Sequence, residues 1–264
     1  MSGESIDILG VRVDDVGWEE MLQAVVRFVE QGGAHRIATI NIEYIMAARR
    51  DPEFADILRH TDLNVPDSVG VLWAARWLGH PLRERVTGSD GLYRVAQVCA
   101  QHGLRLFLFG ARPGVAGRVA EILQTRFPGL IVCGTHAGAE DAYQIDGPEN
   151  EQIADRIRQA QTNVLLIAYP QIPQEKWLSR YLERSGAQVA IGVGAAFDFC
   201  AGVQKRAPSS WQRLGLEWLY RLLQQPWRWR RMLVLPHAAW LIFWQRWSRR
   251  RPAVGGRAKN LQEG

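Results

Sequence analysis

Leu104-Arg105-Leu106-Phe107-Leu108-Phe109 runs into Gly110-Ala111-Arg112-Pro113-Gly114 and then into Val115-Ala116-Gly117-Arg118-Val119. The first six residues are mostly apolar and do not alternate cleanly, the pattern of a strand covered on both faces. The next five hold two glycines and a proline, which marks a short loop. From Gly114 to Phe127, residues Val115, Val119, Ile122 and Leu123 recur at helical spacing, and Pro128-Gly129 ends the helix. Leu130-Ile131-Val132 opens a second apolar run. Strand, loop, helix and strand in this order form a β-α-β unit, which joins parallel strands.

The same alternation extends in both directions. Ile37-Ala38-Thr39-Ile40, Leu63-Asn64-Val65, Val164 to Ala168 and Val189 to Val193 read as further strands. Trp18 to Glu30, Asn150 to Ala160 and Glu175 to Ser185 read as helices, the first with Met21, Val25 and Phe28 on one face. The expected fold class is α/β, a mainly parallel, Rossmann-like sheet flanked by helices, with a C-terminal helical appendage. Residues 1–200 form the expected catalytic body. Residues 201–264 form the appendage, entered through the polar, Pro-containing connection Ala201 to Ser210. One helix is predicted over Trp211 to Leu223 and another over Trp227 to Trp247, bent by Pro236.

The chain has 264 residues, 47% of them hydrophobic and 22% charged, which excludes a disordered or fibrous protein. Three scattered cysteines exclude a disulfide framework or a zinc cluster. The first residues lack the basic and apolar regions of a signal peptide, so a reducing, cytoplasmic location is expected. The net charge of +5 is unevenly placed: residues 205–264 carry 13 Lys and Arg against two acidic residues, and seven of the 11 tryptophans. A basic, Trp-rich tail on an acidic body suits an anionic partner.

Within the tail, Met232 to Trp244 is the most apolar stretch, bracketed by Arg230-Arg231 and Arg246. Its 13 residues fall short of the roughly 20 that span a bilayer. Arginines beside tryptophans and leucines suit a helix lying in the membrane interface. The plainer alternative places Trp211, Trp218 and Trp240 in the core of a small helical subdomain. Nucleic acid is not expected as a partner, because the tail has neither glycine-rich aromatic platforms nor a readable recognition helix.

Ligands of open α/β sheets bind beyond the carboxyl ends of the strands. Polar residues follow the strand patterns there: Thr39, Asn41 and Glu43; Asp67 and Ser68; the Gly110 to Gly114 loop, which leads into a helix N-terminus suited to phosphate; Gln171 and Gln174; Gly194 and Asp198. Asp67 follows an abrupt strand exit. It suits a general base and an N-cap equally by spacing. Thr87-Gly88-Ser89-Asp90 reads as a turn and cap. No HxH, HExxH, GxSxG, GxGxxG or Walker pattern is present, so no metal site is expected.

Seven segments, in order, carry a family resemblance. They are Thr39 to Glu43, Val65 to Gly70, Arg85 to Asp90, Phe109 to Ala116, Pro173 to Trp177, Gly192 to Asp198, and Arg206-Ala207-Pro208 followed by Gly215 to Arg221 and Pro226. Over residues 6–235 the chain resembles the WecG/TagA/CpsF family of bacterial glycosyltransferases. The resemblance implies inverting, metal-independent transfer of a sugar from a UDP-sugar to a lipid-diphosphate-linked sugar, on the cytoplasmic face of the membrane. The UDP-sugar is a substrate, and no cofactor is implied. The resemblance makes Asp67 the base, with Thr39 and Asn41 beside it. Arg85 and Gln174 line the acceptor or donor site, and Gly110, Gly194 and Asp198 lie near the nucleotide. Arg221, Arg228 and Arg231 of the appendage close over the site and touch the diphosphate or the membrane. The chain departs from the family at Ala139-Glu140-Asp141, where a Tyr-Phe pair is expected, and in its longer tail. A non-catalytic, membrane-associated nucleotide-binding scaffold is the alternative. A soluble NAD-type enzyme lacks its fingerprint loop. The donor sugar and a homo-oligomeric state are left open.

Overall fold

The structure, a computed structural model, describes residues 4–250. A six-stranded, all-parallel sheet forms the centre. Its strands are β3 (His35–Ile40), β4 (Leu63–Pro66), β5 (Arg105–Gly110), β6 (Ile131–His136), β7 (Val164–Ala168) and β8 (Val189–Gly192), in the order β4-β3-β8-β7-β5-β6. The strands before it, β1 (Ser5–Ile8) and β2 (Val11–Asp14), form an antiparallel hairpin outside the sheet. The Rossmann-like expectation holds, and five of the six sheet strands fall within one or two residues of their apolar runs. β6 alone continues to His136, well past its predicted run.

Helices cover both faces because both faces are apolar. Ile37, Val65, Leu106, Leu108, Val164, Leu166, Val189 and Ile191 point to one side. There they meet α1 (Trp18–Gln31), α5 (Gly88–His102), α6 (Val115–Arg126) and the short α9 (Ala196–Cys200). The alternate residues Ala38, Ile40, Phe107, Phe109, Leu165, Ile167 and Ala190 point to the other. That side is covered by α2 (Ile42–Ala48), α3 (Pro52–Arg59), α4 (Val69–Leu78), α7 (Pro148–Gln159) and α8 (Gln171–Ser185). Burial on both faces is why the strand runs show no alternation in sequence.

The tail corrects two expectations. The single helix over Trp211 to Leu223 is two: α10 (Ser209–Arg213) and α11 (Glu217–Gln224). Gly215 separates them with φ 72°, a conformation open to glycine. A Cβ there would also lie 3.0 Å from Val69, so the chain crosses tightly over the start of α4. The second predicted helix is also divided, into a 3-10 turn (Pro226–Arg228), α12 (Trp229–Met232) and α13 (Val234–Arg250). Pro236 does not bend α13. It falls in the first turn, where its missing N–H has no intrahelical acceptor to lose.

α13 packs on α2 and α4. Ala238 and Ile242 are buried in the same core as Val71, Ala74 and Ala75. Gln245 accepts from the Leu9 N–H at 3.1 Å, and Arg246 stacks over the Trp77 ring and donates to the Trp77 carbonyl. Trp240, Trp244 and Trp247 stay about half exposed and Trp218 is 42% exposed, so the core-tryptophan reading fails for Trp218 and Trp240; Trp211 is partly buried. No helix among the described residues is long and apolar enough to cross a membrane.

Candidate active site

Parallel register brings the central residues together. Ile40 pairs with Pro66, so the residues that follow, Asn41 and Asp67, leave the sheet side by side. The Asp67 N–H donates to the Ile40 carbonyl at 2.8 Å. The Val86 N–H donates to the Pro66 carbonyl at 2.8 Å, which sets Arg85 beside the same strand end. Asn41 caps α2: its Oδ1 accepts from the Tyr44 N–H at 3.0 Å. With its oxygen so engaged, the amide group of Asn41 hydrogen-bonds Asp67.

The N-cap reading of Asp67 is overturned. Ser68 caps α4, accepting from the Val71 N–H at 3.3 Å, and Thr87 caps α5. Asp67 reaches instead across to the first turn of α5, where the Gly88 N–H donates to its Oδ1 at 3.1 Å. Thr87-Gly88-Ser89-Asp90 is the turn and cap that its sequence suggests. Thr87 Oγ1 accepts from the Asp90 N–H at 3.1 Å.

These residues line a cleft of about 680 Å³ between the strand ends and the tail. Asn41, Asp67, Arg85 and Arg221 all face it. Asp67 is half-buried: protein packs around it, and its remaining exposure is toward the cleft. Burial raises its pKa from the ordinary 3.8 to about 6. The Gly88 N–H, Arg85 and the Asn41 amide pull it down, and the carboxylate of Glu217 pushes it up. A carboxylate so placed is ionised at neutral pH yet binds a proton more tightly than a solvated one, which suits a general base.

Glu217 is the residue that sequence reasoning missed. It comes from α11, lines the cleft, and lies 3.6 Å from Arg85 and 3.5 Å from Arg206. Arg206 in turn holds Asp90 by two contacts, at 2.6 and 3.1 Å. These charges tie the tail to the body around the mouth of the cleft. A signal was present in the sequence, since Glu217 is one of only two acids in residues 205–264.

Glu43, Ser68 and Gln171 also line the cleft, whereas Thr39, Gly110, Gln174, Gly194 and Asp198 lie outside its lining. Thr39 is buried, and its hydroxyl donates to the Gly192 carbonyl at 3.2 Å. Gln174 is 1% exposed and lies below the strand ends. Its amide donates to Tyr44 Oη and Glu175 Oε1, both at 3.1 Å, and its carbonyl accepts from the Gly194 N–H at 3.2 Å. Tyr44 donates to Glu175 at 3.0 Å, so this buried network joins α2, α8 and the loop after β8. Burial raises the pKa of Glu175. Gly110 has φ 106°, and a Cβ there would fall 2.6 Å from the Ala168 carbonyl oxygen. Asp198 is half-buried and accepts from Gln204 at 2.9 Å. Burial raises its pKa against the pull of Arg112 and Arg221, which places the loop after β5, Asp198 and α11 in one electrostatic neighbourhood. Arg221 also sits 5.4 Å from the Phe199 ring centre. Arg228 lies in the 3-10 turn and Arg231 in α12, and their side chains are outside the described residues. Among the described residues, no three His, Cys, Asp or Glu side chains are grouped to hold a metal ion.

The model of the glycosyl transferase WecG/TagA/CpsF family matches residues 6–252. A protein of Bacillus subtilis (strain 168), named N-acetylglucosaminyldiphosphoundecaprenol N-acetyl-beta-D-mannosaminyltransferase, is 33% identical over 212 residues, 80% of each chain. A protein of the same name from Bacillus spizizenii is 31% identical over 233 residues, 88% of each chain. Another, from Staphylococcus aureus (strain MW2), is 27% identical over 229 residues, 86% of each.

Proposed function

The chain belongs to the WecG/TagA/CpsF family and is a glycosyltransferase, and we propose that it moves a sugar from a UDP-sugar to GlcNAc-diphosphoundecaprenol, with inversion and without a metal. The observation that carries this reading is the cleft itself. It offers one half-buried carboxylate, Asp67, with two arginines, Arg85 and Arg221, facing the same space. N-acetylmannosamine is the donor sugar that the relatives' names favour, and cell-surface polymer synthesis is the setting.

In this reading Asp67 takes the proton of the acceptor hydroxyl as its oxygen attacks the anomeric carbon. The bond from that carbon to the diphosphate oxygen breaks, and UDP leaves with the electron pair. Arg85 and Arg221 stabilise the charge that grows on the diphosphate. The amide of Asn41 and the N–H of Gly88 hold the Asp67 carboxylate in one orientation. Gln174 and Thr39 act from beneath, by fixing the backbone at Gly192 and Gly194. Asp198 and the Gly110 loop flank Arg221 on the side proposed for the nucleotide. The enzyme works at the inner face of the cell membrane, held by the exposed tryptophans and the basic residues of the tail.

The test is UDP release across a panel of UDP-sugars, with lipid-diphosphate-linked GlcNAc as acceptor and EDTA present. Acceptor-dependent release with one donor supports the donor class, the acceptor and metal independence together. No release with any donor, or release that EDTA abolishes, refutes the corresponding part.

A further inference from the structure

The cleft at Asp67 has two chemically different parts. Its polar part holds Asn41, Asp67, Arg85 and Arg221. Its other limb follows α4 away from Asp67 and is walled by Trp73 and Trp77 on one side and by Leu235, Ala239, Ile242 and Phe243 of α13 on the other. α4 starts two residues after Asp67, and its ten residues extend about 15 Å. Trp73 and Trp77 are one helical turn apart, so both face this limb. Neither is core: Trp73 is 75% exposed and Trp77 46%. Phe243 is 49% exposed and stacks on Trp77, with ring centres 5.9 Å apart. Large aromatic side chains left open to solvent along a continuous groove mark a surface that an apolar ligand covers.

We propose that this limb binds the first isoprene units of the acceptor's lipid chain, so that α4 and α13 form a lipid-chain subsite continuous with the catalytic cleft. The inference rests on the acceptor class given above and adds where the chain lies. The order of polarity in the cleft matches that of such an acceptor. The sugar hydroxyl meets Asp67, and the hydrocarbon, beyond the diphosphate, meets the tryptophans. The far end of the limb also lies beside residues suited to a membrane interface. There Arg246 stacks on Trp77, and α13 turns a separate stripe of Trp240, Trp244 and Trp247 outward, none of which lines the cleft. A chain leaving the limb at that end emerges beside these interfacial residues.

The experiment compares two acceptors in buffer free of vesicles and detergent, GlcNAc linked through diphosphate to a farnesyl chain or to an ethyl group, both below micelle-forming concentration. The wild-type protein is expected to prefer the farnesyl acceptor by about tenfold or more in kcat/KM, through a lower KM. Trp73→Ala removes an exposed wall of the groove, and Ala239→Trp fills it. Both are expected to bring the ratio of the two kcat/KM values close to one, with a thermal melt to verify folding. Trp240→Ala is expected to keep the wild-type ratio. Equal kcat/KM for both acceptors in the wild type would mean that the protein makes no contact with the chain, which overturns the proposal, as would an unchanged ratio in Trp73→Ala. Absence of turnover with either acceptor would instead refute the acceptor class itself.

Discussion

Asp67→Asn separates catalysis from stability in opposite directions. Asparagine has nearly the same shape and keeps an oxygen to accept from the Gly88 N–H, so the local fold should persist. It cannot take the acceptor proton. Loss of a general base lowers kcat by about 100- to 10,000-fold. The stability effect follows from the raised pKa, which moves from 3.8 to about 6. The folded chain therefore holds the proton more tightly than the unfolded chain does. The favourable contribution of protonated Asp67 is complete below about pH 4, declines as pH rises toward about 6, and is absent above that. Integrated over this window, the ionised carboxylate costs the fold at most about 3 kcal/mol at neutral pH. Exposure toward the cleft makes this an upper bound. Asparagine carries no charge at any pH and escapes the cost. Asp67→Asn is thus expected to melt higher than wild type at pH 7.5 by up to roughly 5 to 10 °C. The two melting curves should converge at pH 4. Calorimetric melts at the two pH values, with UDP release alongside, check both effects. A variant that keeps a tenth of wild-type turnover refutes the role as base. One that melts lower than wild type at pH 7.5 refutes the account of a carboxylate strained by burial.

Three further outcomes follow from particular contacts. Glu217→Gln removes a charge that raises the pKa of Asp67, so the acidic limb of the kcat/KM profile should move to lower pH; a limb that stays in place would detach Glu217 from the base. Gly110→Ala forces a Cβ against the Ala168 carbonyl in a backbone conformation suited to glycine, and should cost more than about 1 kcal/mol in a denaturant melt. Replacing Trp240 and Trp244 together with alanine should weaken co-sedimentation with anionic vesicles several-fold, while binding of UDP by calorimetry is unaltered; undiminished sedimentation would move the membrane contact elsewhere.

The strands and most of the helices of the body could be read from sequence, because a parallel sheet covered on both faces imposes an unusual local pattern. The runs at Leu104 to Phe109 and Val164 to Ala168 are apolar on consecutive residues, and only double burial explains that in so short a segment. The polar residues at the strand ends were equally visible, since Asn41 and Asp67 interrupt apolar runs at abrupt exits. The identity of Asp67 as more than a cap was not. Spacing suits a cap and a base alike, and only the structure shows Ser68 and Thr87 taking the caps while Asp67 reaches across to Gly88. Local pattern also misled in the tail, where Gly215 divides one amphipathic stretch into two helices so that the chain can cross over Val69.

What the amino-acid sequence determined by itself was the layered α/β architecture, the set of polar residues at the carboxyl edge, and the charge imbalance between body and tail. These are properties of neighbours along the chain. The tertiary structure alone decided which of those polar residues share one space. It placed Asn41, Asp67, Arg85 and Arg221 around a cleft, sent Thr39 and Gln174 beneath it, and brought Glu217 in from a distant helix. It also set α13 beside α4, which turned two tryptophans into the wall of a groove. The reason is physical. Strand register and the packing of the tail join residues remote in sequence, and a pKa or a cavity depends on all the groups around it, whatever their order in the chain.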